Sequence, residues 1–238
     1  AARRQSRLKK MPFLGIISRM AHPPASIYYV SCPNHPLPVR WSPSGDPANS
    51  LPQAKRHVKV KLLERLRCPD CSGRFGLEDA VGEQGEVKEG NLRCGACGAE
   101  YAIVNFIPRL VDDDNYATGF GFQWNIHAQT QVDKFNGTHI TRDRFYDCTG
   151  WNRDELAGQT IFEVGCGSGR FTQIMLDAGM EVYSLDYSNA VDACLANHGL
   201  HPNLHLVQGS VYDAPYDKGG FDRVFCFGVM QHTPDVKR

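Results

Sequence analysis

The 238-residue sequence carries 26 basic and 26 acidic side chains, so its formal net charge is zero. The charge is unevenly placed, because residues 1–67 hold 13 Lys and Arg against two acids. A basic N-terminal segment followed by an acidic remainder argues against a basic globular nucleic-acid-binding domain. It leaves open a basic tail that contacts RNA or a membrane surface. No apolar run approaches the roughly 20 residues that span a bilayer. Nine cysteines, four of them in two CxxC pairs, fit a reducing compartment, so we expect a cytoplasmic protein.

Residues 1–56 form the first predicted unit. Nine of the 14 prolines fall within the first 52 residues, scattered among polar and basic side chains. A segment of this composition buries too little apolar surface to offset the entropy of ordering. We therefore expect a largely disordered basic tail and assign it no function.

Residues 57–111 carry the two CxxC pairs, Cys68 with Cys71 and Cys94 with Cys97, separated by 22 residues. Each pair presents two thiolates from a tight turn, and two such turns complete a tetrahedral zinc site. Redox-active disulfides or unligated thiols are the alternatives. Because all four ligands are cysteines, no position stays open for a metal-bound water, and the predicted zinc is structural.

This module resembles the small zinc-ribbon family that includes the activator subunit of tRNA and protein methyltransferases. The resemblance rests on LRCPDCSG and LRCGACGAEYAIVNFIPRLV and covers about 50 residues. The family often has glycine just before its Ile-Pro pair. This sequence has Phe106 there, so we expect the local turn to differ.

Residues 112–159 are predicted to form a helical lid and linker. A charged hinge precedes the aromatic stretch FGFQWN. The segments ITRDRFYDCTGW and NRDELAG are then predicted to be short helices, with Thr141 and Asn152 as their N-caps.

Strands and helices alternate from residue 160 to residue 238. TIFEVG, EVYSLD, LHLVQG and FDRVFCFG are predicted strands. GRFTQIMLDAGM and the residues after Ser188 are predicted helices that end at Gly179 and Gly199. This order is typical of a doubly wound parallel α/β sheet, here with four strands. Ligands of such sheets bind beyond the carboxyl ends of the strands, where the loop GCGSG lies.

The spacing of the loop glycines separates two ligand classes. A dinucleotide loop has the pattern G-x-G-x-x-G, whereas Gly165, Gly167 and Gly169 alternate here and Arg170 replaces the third glycine. Glu163, two residues before the first glycine, would repel a pyrophosphate and suits a cationic ligand. S-adenosylmethionine, with its sulfonium and ammonium groups, is such a ligand. The register therefore argues against NAD.

The stretch FEVGCGSGRF resembles motif I of class I S-adenosylmethionine-dependent methyltransferases. YSLDYSNAVD, HLVQGSVYDAPY and GGFDRVFCFGVMQHTPD follow in that family's order and spacing, so the resemblance covers roughly residues 160–238. FGFQWN and GWNRDELAG resemble the N-terminal lid of one zinc-ribbon-fused subgroup. The resemblance implies a Rossmann-like fold and S-adenosylmethionine as cofactor.

The resemblance also implies roles for individual residues. The glycine loop approaches the methionine moiety, Glu163 steadies the loop or contacts the ammonium group, and Asp186 accepts both ribose hydroxyls. Ser210 stands where the family usually has an aspartate that binds the adenine amino group. The expected cofactor set is Glu163, Gly165, Cys166, Gly167, Gly169, Asp186, Tyr187, Ser210, Val211, Cys226 and Phe227, with Gln123 and Trp124 as candidates for a lid.

Two features of the sequence bear on the chemical class of the methyl acceptor, one histidine and the absence of one motif. A general base is needed only where the acceptor loses a proton, and His232, just past the fourth strand, is the candidate. The alternative is a histidine that holds its loop by a hydrogen bond. Methyltransferases of planar amino groups resemble one another in an Asn/Asp-Pro-Pro-aromatic box, which is replaced here by CFGVMQH. We therefore expect a small-molecule acceptor methylated at oxygen, nitrogen or carbon.

Two other functions stay open, a non-catalytic scaffold that keeps this fold and an RNA-modifying enzyme that uses the basic tail. The family's sheet has seven strands, of which four are found. We therefore expect a C-terminally incomplete chain that turns over no acceptor. Its fourth strand would be an exposed edge through which copies self-associate.

Overall fold

The structure, a computed structural model, describes residues 26–30, 60–83, 86–112 and 115–235. None of the helices in these ranges is long and apolar enough to cross a membrane. The elements before residue 112 are β1 (Ser26–Val30), α1 (Val60–Arg65), β2 (Phe75–Glu83), β3 (Glu86–Cys94), β4 (Glu100–Val104) and β5 (Ile107–Pro108). Those after it are α2 (Thr118–Ile126), α3 (Asp133–Asn136), α4 (Ile140–Thr149), β6 (Thr160–Val164), α5 (Arg170–Asp177), β7 (Glu181–Asp186), α6 (Ala190–His198), β8 (Leu204–Gln208) and β9 (Arg223–Phe227), with 3₁₀ turns at Arg153–Glu155 and Met230–His232.

The first sheet is antiparallel, with strand order β2-β3-β4-β5, and it carries the cysteine pairs. A tight turn joins β4 to β5. Its residues Asn105 and Phe106 have φ angles of 50° and 67°, in the left-handed region. Phe106, which replaces the family's glycine, therefore takes a backbone conformation that favours glycine and carries local strain. The packing of its ring against the hydrophobic core offsets this strain.

The second sheet is parallel throughout, with strand order β1-β9-β6-β7-β8. Strands β6 to β9 coincide with the four predicted strands to within two residues, and α5 and α6 connect them as expected. All five residues of β8 are buried, as is typical of a parallel strand covered on both faces. The predicted α/β class with a partial doubly wound sheet is confirmed.

The position of strand β1 contradicts two expectations, the exposed edge at the fourth predicted strand and the disorder of all of residues 1–56. The strand pairs in parallel with β9, from Ser26 opposite Arg223 to Val30 opposite Phe227. The fourth predicted strand is thus not an exposed edge, whereas the expected self-association of the chain stays a prediction. Disorder is likewise wrong for Ser26–Val30. SIYYV is rich in β-branched and aromatic residues, which favour a strand once an edge with unpaired backbone groups is available. The rest of residues 1–56 lies outside the described residues.

The parallel sheet separates two hydrophobic clusters, because successive residues of a strand point to opposite faces. Ile161 packs in one cluster with Phe145 of α4 and Met175 of α5. Its neighbour Phe162 packs in the other, which includes Leu92 of β3. The connection from β8 to β9 contains no helix, and the antiparallel sheet with α1 covers this face instead. The cysteine-bearing module therefore supplies one of the layers that a doubly wound sheet requires.

Of the two predicted helix caps, one is confirmed and one is wrong. Asn152 begins the turn Arg153–Glu155, and its side-chain oxygen accepts a hydrogen bond from the amide of Asp154 (3.2 Å). Thr141 lies inside the first turn of α4 rather than before it. The buried carboxylate of Asp133 accepts the amides of Thr141 (3.1 Å) and Arg142 (2.9 Å) instead. A cap supplied by a residue eight positions upstream is invisible to a local pattern.

Candidate functional site

The glycine loop lies between the end of β6 and the start of α5. Gly165, Gly167 and Gly169 all have positive φ angles, of 74°, 53° and 84°. A Cβ atom added to Gly165 would lie only 2.1 Å from a methyl carbon of Val229. The loop thus packs directly against the segment that follows β9, which only a residue without a side chain permits.

Asp186, the last residue of β7, holds this loop in place. Its carboxylate accepts hydrogen bonds from the amide of Gly167 (2.8 Å), and from the amide (2.9 Å) and hydroxyl (2.8 Å) of Ser188. Burial raises the pKa of Asp186, and the hydrogen bonds from these amides oppose that rise. A half-buried acceptor for polar hydrogens therefore lies at the carboxyl end of the strand next to the loop.

Glu163 lies beneath the loop rather than in it. The side chain is 1% exposed and accepts hydrogen bonds from the hydroxyls of Thr172 and Ser184, each at 2.6 Å. Burial raises its pKa to about 7, against the lowering effect of the two hydroxyls. It does not line the cavity above the loop. This geometry accounts for an anchoring role and provides no direct contact with a ligand.

A cavity opens between the loop, the ends of β7 and β9, and α2. Most predicted site residues meet there, while four of them, Glu163, Gly169, Ser210 and Cys226, do not contribute to its lining. The predicted residues that line it are Gly165, Cys166, Gly167, Asp186, Tyr187, Val211, Phe227 and His232, together with the lid candidate Trp124.

Ser210 and Cys226 face away from this cavity. The hydroxyl of Ser210 accepts the amide of Tyr212 (3.1 Å) and faces a smaller cavity that Asp70 and Tyr101 of the antiparallel module also line. Cys226 is buried in the hydrophobic cluster on the same side, and burial raises its pKa to about 11. In both cases the neighbouring residue in the chain lines the main cavity.

Helix α2 covers the cavity with an aromatic face. Phe120 and Trp124, one turn apart, both line it. The Trp124 indole lies 3.5 Å from the position of a Cβ atom on Gly167, and the Phe120 ring centre lies 5.0 Å from that of His232. Gln123, the other lid candidate, is exposed and lies outside the lining. The i, i+4 spacing within FGFQWN was the available signal for Phe120.

Three further residues were missed by the sequence reasoning. Tyr116 stacks on Tyr187 with ring centres 4.9 Å apart. Ser168 is 2% exposed, and its hydroxyl has no hydrogen-bond partner within the described residues. Arg170 brings a guanidinium to the cavity wall. The glycine spacing was the signal used at this loop, and it assigned no ligand contact to Ser168 or Arg170.

The four predicted metal ligands come together. The sulfur atoms of Cys68, Cys71, Cys94 and Cys97 lie within 4.8 Å of one another. Backbone amides of Cys97 and Ala96 lower the pKa of Cys94 to about 6. A Cβ atom on Gly73 would lie 2.8 Å from the sulfur of Cys94, so this glycine keeps space beside the cluster. Four thiols at this spacing fit one tetrahedral metal ion.

Part of the chain is similar to known proteins. Residues 162–238 match the family model described as "Methyltransferase domain". A ubiquinone biosynthesis O-methyltransferase from Xanthomonas oryzae pv. oryzae is 31% identical over 130 residues, which cover 47% of this chain and 53% of that protein. The protein of the same name from Xanthomonas campestris pv. campestris is 27% identical over the same shares. The chain spans about half the length of these curated relatives.

A solved structure of a protein from Methanococcus maripaludis also matches in part, with 16% sequence identity and a TM-score of 0.41. The match covers 53% of this chain and 57% of that protein, which is described as a "putative S-adenosyl-L-methionine-dependent methyltransferase". The glycine loop, Asp186 and strands β7 to β9 all lie within residues 162–238. That segment of the chain has the sequence features of a methyltransferase domain.

Proposed function

We propose that this chain binds S-adenosylmethionine in the cavity above the glycine loop, and that the protein it represents transfers the methyl group of this cofactor to a small-molecule acceptor. The expectation that the chain by itself turns over no acceptor stays a prediction. The observation that carries the proposal is the position of Asp186 beside the glycine loop, inside the segment that matches a methyltransferase domain. When bound, the cofactor supplies a methyl group already activated by its sulfonium.

The residues present fit this cofactor. Asp186 offers a half-buried carboxylate to a pair of hydroxyls, which is the contact that a ribose requires. Ser168 has a buried hydroxyl without a partner within the described residues, at the wall where the ligand would lie. Tyr116, Tyr187 and Val211 provide flat and apolar walls at the Asp186 side of the cavity. Phe120 and Trp124 would exclude water above the loop, which strengthens polar contacts inside.

The acceptor is proposed to be methylated at oxygen. The named function of the Xanthomonas relatives supports this choice. A hydroxyl acceptor loses a proton during transfer, and His232 lines the same cavity at its exposed rim, opposite Phe120. We propose His232 as the group that takes this proton. Alignment of the acceptor within the aromatic walls would supply much of the remaining rate.

We further propose that the cysteine cluster binds one structural zinc ion. All four ligands are thiols, so no coordination position is left for substrate or water. The module that carries them packs against the parallel sheet through Leu62, Leu92 and Ile103. The metal would thus stabilise the layer that covers this face of the sheet.

Isothermal titration of the full chain tests the cofactor proposal. We expect S-adenosylmethionine and S-adenosylhomocysteine to bind at one site per chain and NAD to give no heat of binding. A chain that binds neither adenosyl compound contradicts the proposal and supports the scaffold alternative. Binding of NAD in preference to both would instead assign the loop to a dinucleotide.

A further inference from the structure

Arg170 begins α5 and brings a positive charge into the cavity. Its guanidinium lies over the ring of Phe171, at 4.5 Å from the ring centre, and 5.7 Å from that of Phe227. It donates a hydrogen bond to the side-chain oxygen of Gln131, and it lines the cavity wall. Aromatic rings and one neutral amide are thus its close neighbours.

This charge lacks an anionic partner in the described part of the chain. None of the ion pairs found there includes Arg170. Burial and a second cation, Arg144, lower the pKa of Arg170 to about 10, and Glu163 partly opposes both effects. The carboxylate of Glu163 already accepts two hydroxyl hydrogen bonds and makes no ion pair with Arg170. A guanidinium in this position remains charged at neutral pH, and burying such a charge is costly unless an anion accompanies it.

We propose that Arg170 makes this end of the cavity a binding site for a carboxylate. The inference rests on the proposed function, because it concerns the same cavity. A planar guanidinium binds a carboxylate through two parallel hydrogen bonds, and the rings of Phe171 and Phe227 lie beside it on the cavity wall. The unpartnered hydroxyl of Ser168, two residues before it, offers a further donor on the same wall.

Two molecules can bring a carboxylate to this position. One is the cofactor itself, through the carboxylate of its methionine moiety. The other is the methyl acceptor, which would then be an organic acid with an aromatic or apolar body suited to the walls formed by Phe120, Trp124 and Phe227. The chemistry recognised is the same, and matched ligands separate the two sources.

The first arm compares S-adenosylhomocysteine with 5′-methylthioadenosine, which keeps the adenosyl thioether but lacks the amino acid carboxylate. Both are titrated into the wild-type chain and into the variants Arg170→Gln and Arg170→Lys. If the cofactor supplies the carboxylate, Arg170→Gln weakens S-adenosylhomocysteine by roughly 10- to 100-fold, the range for a hydrogen bond to a charged group. Binding of 5′-methylthioadenosine should change by less than about twofold. Arg170→Lys should lie between, because it keeps the charge and loses the planar fork.

The second arm uses sodium benzoate and the uncharged benzamide, titrated into protein saturated with S-adenosylhomocysteine. If the acceptor supplies the carboxylate, benzoate binds the wild type, benzamide does not, and Arg170→Gln abolishes the difference. Arg142→Gln is the matched control, since this exposed arginine pairs with Asp143 outside the cavity and should change neither arm.

The proposal is overturned if Arg170→Gln and Arg170→Lys leave both S-adenosylhomocysteine and benzoate unaffected. If Arg170→Gln does not fold, the binding of S-adenosylhomocysteine and benzoate to Arg170→Lys is the test, because lysine keeps the positive charge that the fold accommodates. A wild-type chain that binds neither adenosyl compound would mark a failure of the proposed function instead. The two failures are therefore distinguishable in one set of titrations.

Discussion

Arg109 and Asp192 form an ion pair with two contacts that joins the antiparallel module to helix α6. Nη2 of Arg109 lies 2.7 Å from Oδ1 of Asp192, and Nη1 lies 3.2 Å from Oδ2. The same guanidinium donates to the side-chain oxygen of Gln208 (2.9 Å), the last residue of β8. The amide of Leu110 donates to the Gln208 carbonyl (2.8 Å). The module is thus fixed to the strand end from which Gly209 enters the cavity wall.

We expect this pair to contribute measurably to stability. The side chains are 15% and 33% exposed, so solvent screens the pair less than an exposed surface pair. Arg109→Met and Asp192→Asn should each lower the free energy of unfolding, with a coupling energy of about 1 kcal/mol in the double-mutant cycle. Chemical denaturation of the four proteins measures it. The exposed pair Arg142 and Asp143 is the control, and equal coupling in both pairs would contradict the expectation.

Asp186 is expected to carry cofactor affinity. Asp186→Ala removes the carboxylate acceptor and should weaken the binding of S-adenosylhomocysteine by about 1.5–3 kcal/mol, the range for a hydrogen bond to a charged group. Calorimetry measures the difference. Because the same carboxylate holds the amide of Gly167, the thermal unfolding of the ligand-free variant must be recorded beside it. Asp154→Asn, an exposed acid on the turn Arg153–Glu155, is the control, and unchanged affinity in Asp186→Ala would remove Asp186 from the site.

The parts of this fold that a sequence pattern identifies are those encoded locally. β6 to β9 follow from short apolar runs between turn residues, and the loop position follows from Gly165 to Gly169 at the end of the first run. The position of Asp186 at a strand end next to the loop is predictable in the same way, whereas its role as a ribose contact was implied by the family resemblance. These features depend on residues close together in the chain.

The parts that escaped depend on contacts between distant segments. Ser210 has the sequence position of a cofactor contact, yet its hydroxyl caps the amide of Tyr212 and faces the antiparallel module. Phe120 reaches the cavity only because α2 packs on α6, where Gly121 lies against Asn189. Periodicity reports neither the direction of a side chain after a strand nor the face on which a separate module packs.

The cysteine cluster should bind one zinc ion per chain, measurable by elemental analysis of purified protein. Cys94→Ser should lower the zinc content and the thermal midpoint, the latter by about 10 °C, because metal binding supplies folding free energy to this module. Cys148→Ser, a cysteine of α4 outside the cluster, should change neither quantity. A chain that stays equally stable after chelation, or that never carries zinc, would contradict the prediction.

Glu163 should make stability depend on pH. Its folded-state pKa of about 7 lies above the ordinary value of 4.5, so the folded protein holds this proton more tightly than the unfolded chain. The resulting stabilisation is complete below pH 4.5 and is lost as the pH rises through 7. In Glu163→Gln, which is neutral at every pH, this loss is absent.

The difference between the variant's unfolding free energy and that of the wild type should therefore shift in the variant's favour between pH 5 and pH 8, by roughly 3 kcal/mol in all. Comparison of the two proteins by urea denaturation at each pH cancels the other titrating groups. A difference that does not change with pH would show that Glu163 titrates normally.

The pairing of β1 with β9 is expected to protect the sheet edge. Tyr28 pairs with Phe225 in the middle of this ladder. Tyr28→Pro removes one backbone donor and disfavours a paired strand, so it should release the unpaired groups of β9. We expect the variant to self-associate, with concentration-dependent mass in light scattering, while the wild type stays monomeric under the same conditions. Tyr28→Val, a good strand former, should behave as the wild type. If Tyr28→Pro and the wild type give the same mass at every concentration, β1 is not what keeps the β9 edge from pairing with other chains.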